Sequence, residues 1–245
     1  MKKTMKNPIH IKSKAGFTLM ETVIAIGVLA VLLTAFIAVF APAAKGIRKA
    51  ISTQEADRLT HTLKEELTTL RGPEATEFST GFDKAFNWIK DAGNEPLILF
   101  QYRGDAAANP RADGTLEPYT QPGGVAGQDY VVQSIVRPLG KFAEWKGDLD
   151  ALEGGVYAVV ATQGVYKNGV LEFDEDENKG VIKDPHPDDA AANPPIDDPK
   201  NYPEAVIAFK AEFHVLKSTA PSFIKDLKAN GLKSPVFSRN LAVRR

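Results

Sequence analysis

The 245-residue chain contains no cysteine. That absence excludes a disulfide-stapled miniprotein, a thiol enzyme, an iron–sulfur protein and a cysteine zinc finger. It leaves the compartment open, because exported proteins also fold without disulfides. Only four histidines occur, His10, His61, His186 and His214, and none stands in a metal-ligand spacing. There is no G-x-S-x-G elbow, no phosphate-binding loop and no dinucleotide fingerprint. Nothing selects a nucleophile or base, so catalysis is not expected. Neither sign of charge dominates: 30 Lys+Arg face 31 Asp+Glu. This argues against a strongly basic nucleic-acid binder, and no nucleic-acid partner is expected.

The charge that is present is unevenly placed. Residues 1–16 carry Lys2, Lys3, Lys6, Lys12 and Lys14 and no acid, a head of +5 on a body of −6. The run Phe17 to Ala44 follows, with one ionisable group, Glu21. About 20 apolar residues in a helix cross the hydrocarbon core of a bilayer, so this run is long enough to do so. Lys45, Arg48 and Lys49 close it. A cleaved secretory signal, with Ala41-Pro42-Ala43 as its processing site, fits poorly. Signal cores run to about 7–15 apolar residues, and this one carries a carboxylate and puts a proline in the cleavage tripeptide. A plain uncleaved anchor explains the lysines and the length, but gives Glu21 no role.

Lys14-Ala15-Gly16-Phe17-Thr18-Leu19-Met20-Glu21 resembles the cleavage and methylation motif of type IV prepilins and type II secretion pseudopilins. The resemblance covers roughly residues 10–70. It implies a prepilin peptidase cutting between Gly16 and Phe17 and then methylating the Phe17 amine. It also implies that Glu21, the fifth residue of the mature chain, acts in subunit assembly by meeting the N-terminal amine of a neighbour. The implied partners are other pilin-like subunits, the peptidase, membrane lipid and an inner-membrane assembly platform. The implied product is a pilus or pseudopilus subunit, more in keeping with a minor than a major one. The implied place is the inner membrane, single-pass, with the C-terminal domain in the periplasm or outside. The rival function is an exported binding or enzymatic domain on an uncleaved anchor. Many pilins close a C-terminal loop with a disulfide, and this chain departs from them in having no cysteine.

The expected organisation is a leader over 1–16, a membrane and assembly helix over 17–44, an amphipathic stem over 45–72 and a globular domain over 73–245. Pro42 should kink or loosen the helix. Beyond it Ile47, Ile51, Leu59, Leu63, Leu67 and Leu70 recur at helical spacing among charged residues, and Arg71-Gly72-Pro73 stops the pattern. The expected fold class is α+β, a long N-terminal helix packed on a small antiparallel sheet. Residues 81–92 read as a helix with Phe82, Phe86 and Ile89 on one side. Strands are expected over 97–102, 130–137, 156–162, 170–173, 205–216 and 236–243. Asn168-Gly169 signals a hairpin. In 205–216, taking Val206, Ala208, Ala211, Phe213 and Val215 as the apolar set requires an irregularity near Lys210. Residues 222–230 read as a helix ending at Gly231. Trp88 and Trp145 read as core, His61 as surface, and His214 as facing outward or capping the sheet.

Long loops are expected over 104–128 and 172–200. In the second, Asp174, Asp176 and Asn178 place oxygen ligands at alternate positions, a candidate calcium set that Asp184, Asp188 and Asp189 could complete. It is not an EF-hand: Lys179 sits where the sixth-position glycine belongs and Pro185 where the twelfth-position acid belongs. A solvated acidic loop explains the same residues, and no cofactor is required.

Overall fold

The structure is a computed structural model that describes residues 18–174, 178–187, 193–232 and 234–245; the side chains of 39–53 and 230 are outside the description. The chain divides into two compact units, one ending at Gln54 and one running from Glu55 to Arg245. Helix α1, Leu19–Thr68, contributes to both and stays helical through Pro42.

The second unit, called the head here, is an α+β domain. Its five-stranded antiparallel sheet has the order β2-β1-β3-β6-β7. The strands are β1 (Leu97–Asp105), β2 (Tyr130–Pro138), β3 (Tyr157–Gln163), β6 (Val206–Val215) and β7 (Phe237–Arg244). A separate hairpin joins β4 (Val165–Lys167) to β5 (Val170–Glu172). Its turn is Asn168-Gly169, with φ of 51° and 78°. Two successive positive φ values suit the twist of a two-residue hairpin, which is why Asn-Gly serves there.

Alternation decides what each strand buries. Leu97 and Leu99 of β1, Val159 and Ala161 of β3, and Ile207, Phe209, Ala211 and Phe213 of β6 form one face. Leu59, Leu63 and Leu67 of α1 cover it, together with Phe82, Ala85, Phe86 and Ile89 of helix α2 (Gly81–Asp91). The intervening residues Ile98, Phe100 and Tyr102 face the other way. There they meet Trp145 at the end of the short helix α3 (Phe142–Trp145), Leu149, and Ile224 of α4 (Pro221–Lys225). Full burial of a side chain of this size stabilises by about 1.5–3 kcal/mol, so both faces contribute to the core. The cap of α2 is local: Thr80 Oγ1 accepts from the Asp83 amide at 3.1 Å and the Asp83 carboxylate accepts from the Thr80 amide at 3.0 Å.

Three expectations are corrected. Strand β6 has no irregularity at Lys210, because its pairing with β3 and β7 runs unbroken through that residue. The apolar set is Ile207, Phe209, Ala211 and Phe213; Val206 is exposed and Ala208 points to the opposite face. The helix expected over 222–230 is shorter, Pro221–Lys225, with a separate turn at Ala229–Gly231. Ile224 and Leu227 are both buried there, and packing has overridden the local helical pattern. His214 is buried, 7% exposed, beside Ala158 on the face opposite Phe213.

Candidate functional site

The first turn of α1 carries the residues that distinguish this chain. Among the described residues one helical stretch is long and apolar enough to cross a membrane, Leu19–Ala38, with a mean hydropathy of 2.3 over 20 residues. At 1.5 Å per residue it is about 30 Å long, the thickness of a bilayer's hydrocarbon core. Every side chain in it is exposed, Leu19 at 86% and Val31 at 69% among them. Its hydroxyls are satisfied within the helix: Thr22 Oγ1 donates to the Thr18 carbonyl at 3.3 Å and Thr34 Oγ1 to the Ala30 carbonyl at 2.8 Å. A hydroxyl that spends its proton on its own backbone adds little cost in hydrocarbon.

Glu21 is the one charged residue of this stretch. Its Oε2 accepts from both the Thr18 amide and Thr18 Oγ1, each at 3.0 Å, while the Glu21 amide donates to Thr18 Oγ1 at 3.3 Å. This is a capping box. It satisfies two donors at the helix start and fixes the carboxylate beside the helix's positive end. Both of these bonds fall on Oε2, and among the described residues none is found at Oε1. Sequence reading missed Thr18 as this partner, although Thr-x-x-Glu ahead of an apolar run is the signal for it. Gly16 and Phe17, the expected cleavage and methylation positions, lie outside the described residues, as does His10.

The candidate calcium residues are partly visible. Asp174 pairs with Lys167, Nζ to Oδ2 at 3.3 Å. Asn178 is 2% exposed, and its amide Nδ2 donates to the Gln163 carbonyl at 3.5 Å. Asp176, Asp188 and Asp189 lie outside the described residues. Asp184 accepts the amide of His186 at 2.8 Å, and its own backbone is bracketed by Asn193. Among the described residues no three acidic or histidine side chains are grouped to hold a metal ion. His186 stacks on Tyr166 and faces Glu204 at 3.4 Å, and His61 faces Glu65 at 3.2 Å. Trp88 and Trp145 are buried core residues.

A network of charged side chains in the head braces the expected loop 104–128. Asp148, fully buried, accepts from Arg111 at 2.7 Å and lies 3.7 Å from Arg137. Arg137 also pairs with Asp113 at 2.8 Å, and Arg111 with Glu117 at 2.9 Å. Burial pushes Asp148 above the ordinary aspartate value, with Arg111 opposing it. For Asp113 burial pushes up as well. Hydrogen bonds from Thr115 and the Arg137 guanidinium outweigh it and bring the carboxyl down to about 2. An open groove of about 610 Å³ runs beside α2, with Glu77, Asp83, Asp91 and Glu95 around Trp88 and Leu97. Burial raises Asp91, and its like-charged neighbours Glu95 and Glu77 add to the effect.

Comparison of the chain with protein-family models, with curated proteins and with solved structures gives no match.

Proposed function

We propose that this chain is a type IV pilin-like subunit, a minor pilin or a type II secretion pseudopilin, that assembles through its N-terminal helix. The observation that carries the proposal is the exposed apolar stretch Leu19–Ala38 with a single carboxylate, Glu21, held at its first turn. A carboxylate near hydrocarbon costs several kcal/mol unless it is paired. A signal or plain anchor gains nothing from keeping one; a helix that must be matched to a neighbour does.

The mechanism is physical rather than catalytic. Cleavage after Gly16 creates an α-amine on Phe17, a cation below its ordinary pKa of about 7.7–8.0. Thr18 occupies Oε2 of Glu21 and so fixes the carboxylate, leaving Oε1 for the amine of an adjoining copy. Lipid-facing apolar surface is exchanged for helix-facing apolar surface, so burial alone provides little gain. The charge pair then supplies register, because leaving one member of a buried pair alone costs about 3–5 kcal/mol. The subunit would wait in the inner membrane with its head in the periplasm or outside, and an assembly platform would drive it into the filament.

Intact-mass and N-terminal analysis of the native protein tests this. A chain beginning at methylated Phe17 is the expected result. A chain that retains the lysine-rich leader from Met1 refutes the proposal in favour of an anchored domain, and one beginning at Ala44 refutes it in favour of ordinary secretion.

A further inference from the structure

The last turn of α1 contains Glu65 and Glu66 and no basic residue, so its negative end is charged against itself. Two cations from outside the helix meet it, Arg71 just beyond its end and Lys84 of α2. Lys84, with its side chain fully buried, donates from Nζ to the Thr69 carbonyl at 2.7 Å and to Glu74 Oε2 at 2.7 Å. Its ammonium also sits 4.1 Å from the centre of the Trp88 ring. Glu74 Oε2 is shared, since the Arg71 amide donates to it at 2.9 Å, and Arg71 in turn pairs with Glu66. Gly81 allows the approach: a Cβ there would lie 2.2 Å from the Thr68 carbonyl oxygen. A helix must satisfy its last carbonyls from outside, and here the head does so with a buried charge.

We propose that the last turn of α1 is a latch, helical only while Lys84 of the head is seated on Thr69 and Glu74. The apolar seam of Leu59, Leu63 and Leu67 fixes the side of α1 that meets the sheet, but it supplies no partner for the last carbonyls. The latch gives α1 a discrete yielding point at its C-terminal end, inside the head. It stands independently of whether the chain forms filaments.

Hydrogen exchange on the full chain in detergent micelles tests the latch. In Lys84→Met, exchange of amides 64–74 should rise at least about tenfold, while β1, β3 and β6 keep their protection. In Glu74→Gln, which keeps an acceptor but leaves the Lys84 charge without its carboxylate, exchange over 64–74 should rise by less than in Lys84→Met. If Lys84→Met does not fold, Glu74→Leu, which removes the acceptor and the charge opposite Lys84, is expected to give the same local rise. Unchanged exchange over 64–74 in the folded variant overturns the proposal. A rise shared equally by the core strands also overturns it, because that is ordinary loss of stability.

Discussion

The stretch Leu19–Ala38 and the head are built on opposite accounts of polarity. The stretch leaves its apolar side chains uncovered and keeps one carboxylate at its first turn. The head covers its apolar side chains from both faces of a sheet and takes charges inside with them, Lys84 and Asp148 at no exposure at all. Each region would fail under the other's rule. Apolar surface without cover is costly in water and free in lipid, whereas a buried charge is tolerable only where a fixed partner meets it. On the function proposed above, the two regions answer to different solvents, so a substitution should act in one and be silent in the other.

The largest effect expected from that contrast is in the head. Phe86 is fully buried against Tyr202, ring centres 5.9 Å apart. Phe86→Ala should cost about 3–5 kcal/mol of unfolding free energy. Leu29→Ala, at a residue 56% exposed, should leave the head's denaturation curve in place. Tryptophan fluorescence reports this, since Trp88 and Trp145 are both buried in the head. A shift of similar size from Leu29→Ala would break the comparison.

The next effect reverses the assignment. Val31→Lys puts a charge near the middle of the apolar stretch, at a cost of about 2.5–3.5 kcal/mol for a helix centred in a bilayer. Membrane retention after alkaline extraction should fall steeply while the head's thermal midpoint stays where it was. Retention at the parent level would mean that the stretch does not cross a bilayer.

These two tests also mark what could be read from sequence. The six strands expected from β-branched and aromatic runs lie within a few residues of β1, β2, β3, β5, β6 and β7, because each run is bounded by glycine, proline or a hairpin pair. The apolar stretch is legible for the same local reason. The inward set of β6 was misread because alanine occurs on both faces: Ala208 points to one side and Ala211 to the other. The helix at 222–230 was drawn too long because Leu227 is buried by tertiary packing outside any helix. Lys84, Arg111 and Asp148 left no trace in local pattern. Glu74 stands 10 residues from Lys84 and Asp148 stands 37 from Arg111, and only the fold brings them together. Residues 104–128 read as a long loop with no fixed partners named, and Arg111 and Asp113 tie that loop to β2 and to Asp148.

The smallest effect sharpens the contrast within the head, since it asks whether a half-enclosed charge pair stabilises. Asp113 is 15% exposed against Arg137, and its carboxyl is brought down to about 2. The folded-state value lies below the ordinary aspartate value of about 3.9. The Thr115 hydrogen bonds and the Arg137 pair together therefore contribute stability above that value, and the contribution is lost as pH falls through about 2. Its size is about 2 kcal/mol. Asp148 has the opposite slope, because burial raises it and its ionisation opposes folding. Comparing Asp113→Asn with the parent removes most of that background. The variant should be less stable at pH 7 by about 2 kcal/mol, and the gap should close between about pH 5 and 2 in urea denaturation followed by tryptophan fluorescence. A gap that stays constant across this range would mean that the asparagine loses packing or a hydrogen bond rather than a charge. The brace of loop 104–128 would then rest on Arg111 and Asp148.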